Sequence, residues 1–337
     1  CDSCLTCQQA VNVSGATIRL NNTLRFQNAT CISIGTGNIT LNGLGFGIIG
    51  NGTGTAIDNA AGHDNLTVKN ILSFLNVTIG VELTDVYISS IFNNTFNVKS
   101  TGGNAAIDIV NSNNTNISWN TITQNGTYIE NGSAINLETV YNSFIDSNTI
   151  NTTAVGSHAI LYTTGNGSIR ANIINTTSNN ANGISFVGAK IGTIIQENRI
   201  TTTGPGGTGT SSAPISLLQG NNLLIRANTL KALGNSNSGL DLDTVNNSLI
   251  DNNTIEITTI SSFSGALGLL GITSNNVIVN NNLTAPQGGN EIVDNLGMGI
   301  DTTYYNYFIY NNSFGEITWM NNGSGSFLHS MTLSVNG

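Results

Sequence analysis

Three carboxylates recur at one position of a repeated phrase in this sequence. The phrase is a small residue, an aliphatic, a variable residue and usually another apolar one. It reads "AIDI" (106–109), "AINL" (134–137), "GISF" (183–186), "PISL" (214–217), "GLDL" (239–242) and "ALGL" (266–269). Its third position holds Asp58, Glu82 and Asp108 on consecutive copies, and later Asp241 and Asp301. Carboxylates stacked at the spacing of neighbouring strands repel one another, so either a proton stays on one of them or a cation joins them. Asp58, Glu82 and Asp108 are therefore a candidate Ca2+ site; no cofactor is otherwise required.

A second outward series follows the lead Ile of another phrase: Asp146, Arg170, Gln196, Arg226 and Asp251. The simpler reading is a neutralised surface ladder, each pair worth about 0–1 kcal/mol. The sharper one is a substrate groove with a catalytic Arg. His63, His158 and His329 fall on widely separated copies, which argues against a shared metal site. No G-x-S-x-G elbow, Walker loop or H-E-x-x-H is present. No catalytic residue is assigned. Thr pairs at 152–153, 176–177 and 202–203 form a short array that β-propensity alone explains.

The elements that must position these groups come from the repeat itself. Residues 143–153, "SFIDSNTINTT", return as "GSIRANIINTT" at 167–177. The template is an aliphatic, two variable residues, Asn, one variable residue, then an aliphatic or aromatic. Its Asn is Asn94, Asn120, Asn148, Asn172, Asn198, Asn228, Asn253, Asn281 and Asn312, with degenerate copies starting at Leu41 and Val68. Both phrases alternate with period two, so both predict short strands with one buried face, and no 3.6-residue apolar stripe occurs. Units of 20–30 residues with two or three strands predict an all-β solenoid of roughly 11–13 coils. Stacking at about 4.8 Å then places Ile145 and Ile169 in one interior slot. The recurrent Asn is read as a ladder at a tight corner, where Asn tolerates the left-handed backbone and its amide bonds to the Asn above and below. The organisation expected is an N-terminal cap and first coils over 1–37, repeats over 38–315, and an extended tail over 316–337.

Composition narrows the setting. Of 337 residues, 39% are hydrophobic but only 8% charged, and 55 are Asn. Nine basic residues against a net charge of −9 cannot form a nucleic-acid surface. The apolar run "GALGLLGI" (265–272) is too short to span a membrane. Cys1, Cys4, Cys7 and Cys31 match no common zinc spacing and are read as two disulfides stapling the N-terminal region, with the pairing open. That fits a processed, secreted chain; lipid on Cys1 is not otherwise supported.

Twenty N-x-S/T sequons strengthen the secretory reading, against about a dozen expected by chance from this composition. They begin at Asn12, Asn21, Asn28, Asn38, Asn51, Asn65, Asn76, Asn93, Asn113 and Asn116. The rest begin at Asn125, Asn131, Asn151, Asn166, Asn175, Asn246, Asn252, Asn282, Asn311 and Asn322. N-linked glycans would supply the solubility that sparse charge does not. Aromatics crowd the far end: Tyr304, Tyr305, Tyr307, Phe308, Tyr310, Phe314 and Trp319. Tyr304, Tyr305, Tyr307, Phe308 and Trp319 are candidate interface residues.

With the stretch "GNITLNGLGFGIIGNG" running on to "NLTVKNI", the chain resembles the right-handed parallel β-helix proteins of the pectin-lyase-like superfamily over roughly 38–315. The resemblance implies the fold and leaves the activity open, because that group holds lyases, hydrolases, adhesins, tailspikes and structural proteins. It implies acidic Ca2+ sites beside a base for the lyases and close Asp pairs for the hydrolases. Lys69 is the one base near the acidic series, "GHD" (62–64) is a poor match to the expected "GHG", and "RIK" is absent. The expectation is an extracellular, glycosylated structural protein, a surface fibre or appendage subunit associating head to tail with itself. The alternative is a polysaccharide-binding or polysaccharide-degrading protein, or an adhesin or spike.

Overall fold

Strands with one apolar side need a neighbour to cover it, and here each strand finds its counterpart in the next repeat. The computed structural model describes residues 1–27, 30–100, 103–126, 132–204, 212–234, 238–258, 265–270, 275–285, 290–295, 307–310 and 317–320. The chain divides into two compact units, Cys1–Ser168 and Ile169–Gly337. Both are parallel β-solenoids.

In the first unit a turn consists of three strands, such as Ile79–Thr84, Tyr87–Phe92 and Thr95–Ser100. Pairing is parallel and in register, so equivalent residues form columns. Ile32, Ile57, Val81, Ile107, Ile135 and Ile160 make one. Ile18, Leu41, Val68, Ile91, Ile117 and Ile145 make the second. Leu24, Ile48, Phe74, Phe96, Ile122 and Ile150 make the third. All eighteen are buried, each burial contributing about 1.5–3 kcal/mol. A slip of one residue would expose a whole column. Phe74 and Phe96 stack at 4.5 Å between centroids. A Cβ on Gly80 would lie 2.5 Å from the Phe96 ring, so glycine is required there.

The asparagine ladder is present, with one correction to its expected geometry. In the first unit Asn94 donates Nδ2 to Asn120 Oδ1 (3.1 Å), and Asn120 donates to Asn148 Oδ1 (3.0 Å). The same Oδ1 atoms accept the backbone N–H of the preceding rung, from Asn94 (3.0 Å) and Asn120 (2.9 Å). The ladder residues do not themselves take the left-handed conformation. The residue before each does: Asn93 at φ 55°, Trp119 at 58° and Ser147 at 56°. The preceding residue makes the corner, and the ladder Asn turns inward to satisfy the backbone groups the corner frees.

The N-terminal edge is covered by a helix that the sequence reading did not contain, Cys4–Ala10. Ser3 caps it, accepting from Thr6 N, while Thr6 Oγ1 accepts from Ser3 N. Gln8 then mimics a strand against Thr30–Ser33, donating Nε2 to Ser33 O and accepting from Ser33 N, both at 2.6 Å. That covers an open sheet edge. Disulfides Cys1–Cys7 and Cys4–Cys31 tie the helix down.

The second unit repeats the arrangement. Ile184, Ile215, Leu240, Leu267, Ile292 and Ile317 align, as do Ile195, Ile225, Ile250, Ile278 and Ile309. Its ladder runs Asn172, Asn198, Asn228, Asn253, Asn281, with Oδ1 of the last four each accepting the backbone N–H of the rung before at 2.9–3.0 Å. Strand Ile317–Met320 pairs in parallel with Asn290–Asn295, so parallel sheet pairing continues past residue 315. Among the described residues no helix is long and apolar enough to cross a membrane.

Candidate functional site

Period-two alternation turns every second side chain of a strand outward, and in-register stacking aligns those side chains too. In the first unit this produces the column Ser33, Asp58, Glu82, Asp108, Asn136. The three carboxylates thus sit on consecutive rungs, about 4.8 Å apart at the backbone. Burial raises the Glu82 carboxyl above its usual range, with Asp58 and Asp108 adding repulsion and a hydrogen bond from Thr55 Oγ1 (3.3 Å) opposing it. Burial likewise raises Asp108, against a 2.8 Å hydrogen bond from Asn136 Nδ2 and with Glu138 adding repulsion. Asp58 Oδ1 accepts from Ala60 N at 2.8 Å. Hydrogen-bond donors thus partly offset the repulsion. Among the described residues no three His, Cys, Asp or Glu side chains come together as metal ligands. Lys69 does not face the carboxylates as a base; its Nζ lies 5.6 Å from the centroid of the Phe92 ring.

The next strand of each turn carries a feature that the sequence reading missed. Tyr87, Asn113 and Tyr141 share one outward column, and Asn116 and Phe144 share another. Tyr87, Tyr141 and Phe144 are 54%, 42% and 55% exposed. Trp119, at the left-handed corner of the middle rung, is 66% exposed. Sparsely populated backbone conformations of this kind cost about 1–3 kcal/mol for a bulky residue. The signal lies in the sequence as aromatics at outward positions of the period-two pattern, sparser than the crowd at 304–319.

Other candidates fall as follows. All sixteen described sequon asparagines keep solvent access: Asn12, Asn21, Asn38, Asn51, Asn65, Asn76, Asn93, Asn116, Asn125, Asn252 and Asn282 are exposed, and Asn113, Asn151, Asn166, Asn175 and Asn246 are half-buried. Asn28, Asn131, Asn311 and Asn322 lie outside the described residues, as do Asn312, Tyr304, Tyr305, Asp301 and His329. Tyr307 and Phe308 lie on strand Tyr307–Tyr310, and Trp319 on Ile317–Met320. Thr152, Thr176 and Thr202 point into the cores, so only the second Thr of each pair meets solvent. Burial pushes the His158 imidazole down to about 4. In the second unit Gln196, Arg226 and Asp251 align, and Arg226 Nε pairs with Asp251 Oδ2 at 3.2 Å. That is the neutralised ladder of the simpler reading.

Similarity to solved structures agrees with this geometry. The mannuronan C-5 epimerase AlgE6 A-module of Azotobacter vinelandii superposes with a TM-score of 0.67 at 12% identity, covering 100% of this chain and 96% of that one. The chain is built on the parallel β-helix fold. DFA-IIIase from Arthrobacter chlorophenolicus A6, without its lid, gives 0.51 at 13% identity over 87% of this chain and 85% of that one. The tailspike of Escherichia coli bacteriophage HK620, in complex with a hexasaccharide, gives 0.50 at 11% identity over 95% and 63%. No family profile and no curated protein matches the chain. At such identities the likeness establishes the β-helix fold and transfers no activity.

Proposed function

We propose that this chain is a secreted, N-glycosylated structural protein of a cell surface, in which the β-helix serves as a stiff scaffold and copies associate end to end. The observation that carries the reading is the placement of the sequons: every described one leaves its Asn accessible on the outer walls of a solenoid. The disulfides support an oxidising, extracellular setting. End-to-end association is supported by the aromatic-rich segment 304–319, with a heterologous contact extending copies into a filament. The test is the full chain secreted from N-glycosylating cells, treated with endoglycosidase and imaged by negative stain. Mass loss at several sequons together with filaments is the expected result. A chain that carries no glycan and remains as single particles at high concentration overturns the reading.

One arrangement favours a second reading, an extracellular polysaccharide-binding or polysaccharide-degrading protein. The carboxylate column and the exposed aromatics occupy consecutive strands of the same turns, and exposed rings are surfaces on which sugars stack. A mannuronan epimerase and a tailspike in complex with a hexasaccharide are proteins of similar fold. Binding and turnover of neutral and acidic polysaccharides, with and without Ca2+, would be compared between the native chain and Asp108→Asn. Absence of binding to every polymer removes this reading.

A further inference from the structure

The strand Asn113–Ser118 carries two sequons, beginning at Asn113 and Asn116, between the strands that present Tyr87, Tyr141 and Phe144. Asn116 is aligned with Phe144 one rung on, and Trp119 stands three residues downstream at the corner of its own rung. Phe144 and Trp119 are 55% and 66% exposed. Exposed aromatic rings beside and downstream of a sequon are surfaces on which a sugar can stack. We propose that Asn116 carries an N-glycan whose first sugars lie on Phe144 and Trp119, so that this aromatic patch is the seat of the chain's own glycan. The inference rests on the proposed function, since it requires an N-glycosylated chain.

Three observations select Asn116 and this occupant. Asn116 is exposed, and no hydrogen bond to the described residues holds its amide. Asn93, by contrast, donates its Nδ2 to Asn70 Oδ1 at 2.8 Å, and Asn113 is half-buried. The apolar C–H face of a pyranose fits an exposed aromatic ring. Finally, the neighbouring column is Asp58, Glu82 and Asp108, so a polyanionic polymer laid along this wall would meet like charge, whereas a neutral sugar would not. A tethered sugar also needs little affinity, because linkage holds it at an effective concentration in the millimolar range.

Attachment is a glycosyl transfer. The Asn116 Nδ2 forms a bond to the anomeric carbon of the first sugar, and the bond from that carbon to the phosphate of a lipid-linked oligosaccharide breaks. The lipid phosphate leaves with the electron pair, and one amide proton passes to the transferring enzyme. Ile117, between Asn116 and Ser118, is fully buried in the finished strand, so transfer precedes stacking of that strand.

The experiment uses the full chain, secreted from N-glycosylating cells, in a Trp319→Phe background that leaves Trp119 as the single indole. Glycopeptide mass spectrometry reads occupancy, and acrylamide quenching reads exposure of Trp119. Occupancy at Asn116 is expected, with quenching about half that of Asn116→Gln as the sugar covers the indole. Phe144→Ser is expected to restore quenching toward the unglycosylated level while leaving Asn116 occupied. Other sequons occupied but Asn116 bare, or Asn116 occupied with quenching unchanged, overturns the inference and leaves the proposed function standing. No sequon occupied overturns both. An Asn116→Gln chain whose Trp119 is shielded by added soluble polysaccharide to the same extent assigns the patch to an external ligand and also overturns the inference.

Discussion

In the first unit, the outward column of one wall stacks three carboxylates, Asp58, Glu82 and Asp108, relieved by hydrogen bonds to the latter two from Thr55 and Asn136. In the second, the outward residues pair: Arg226 with Asp251 at 3.2 Å and Lys231 with Glu256 at 2.6 Å. The first unit also exposes Tyr87, Trp119, Tyr141 and Phe144, while the large apolar groups exposed among the described residues of the second are aliphatic, among them Ile173, Val187 and Ile191. Inside, the two are built alike, with aliphatic columns and a buried Asn ladder. A skeleton held constant while its walls diverge places the selection for function on the walls. The first unit's wall keeps like charge that hydrogen bonds offset, where the second unit's wall pairs its charges.

The largest expected effect tests the shared skeleton. Asn120→Ala removes bonds to Ile91 O (2.8 Å) and Asn148 Oδ1 (3.0 Å) and orphans the Asn94 N–H. Asn228→Ala removes the equivalent set to Ile195 O and Asn253 Oδ1, both 2.9 Å, and orphans the Asn198 N–H. Each is expected to cost about 3–5 kcal/mol, buried donors left unpaired weighing most. Hydrogen exchange of amides within each unit measures both. Costs differing by more than about 2 kcal/mol would mean that the ladders are not equivalent.

Tyr162 belongs to the first unit alone. Its buried hydroxyl lies 2.6 Å from the carbonyl oxygens of Val140 and Asn166 and 3.0 Å from Ser143 Oγ. Tyr162→Phe is expected to destabilise that unit by about 1–3 kcal/mol, read by denaturant titration. An effect below about 0.5 kcal/mol would show that Ser143 takes over the contacts.

The walls differ in their response to pH. A carboxyl held protonated more tightly in the folded chain adds stability that is complete below its unfolded value, about 4, and is lost as pH rises through the raised folded value. Glu82 and Asp108 are both raised, so the stability these two groups contribute to the first unit is expected to fall as pH rises from about 4 toward neutrality. Glu82→Gln should flatten that slope and stabilise the unit at pH 7. His158, depressed to about 4, acts in the opposite sense, its contribution being present above about 6.5 and lost on acidification, so His158→Gln isolates the carboxylate slope. Arg226→Gln in the second unit, which removes the exposed partner of a half-buried Asp251, should change less at any pH. Melting temperatures across pH 4–8 separate these cases.

The strands, their inward columns and the ladder were legible because an invariant letter at fixed phase leaves few arrangements that bury it. The corner was misassigned for a physical reason: Asn is both a left-handed residue and a ladder residue, and composition cannot separate the roles. At Trp119 and Ser147 the structure does, since there the corner residue is not Asn. The helix Cys4–Ala10 was hidden by its length, two turns giving no usable apolar stripe, although Ser3 and Thr6 spell a capping box with a hydroxyl where Glu or Gln is usual. The acidic column was predicted at the right residues, but its relief by Thr55 and Asn136 depends on partners 27 and 28 residues away. Only the register brings them together.

Trp119 gives the smallest effect and the finest division between wall and skeleton. Its left-handed backbone is imposed by the ladder residue that follows, Asn120, whose inward turn the corner serves. Its side chain is largely solvated and contributes little burial in return. Trp119→Gly keeps the corner and relieves the Cβ strain, so the unglycosylated chain is expected to gain up to about 1 kcal/mol, less the entropy a glycine adds to the unfolded chain. A gain with the Asn94–Asn120–Asn148 amide protections unchanged would show that the indole serves the wall and not the ladder. A loss of more than about 1 kcal/mol would place Trp119 among the packing residues and erase the distinction at that rung.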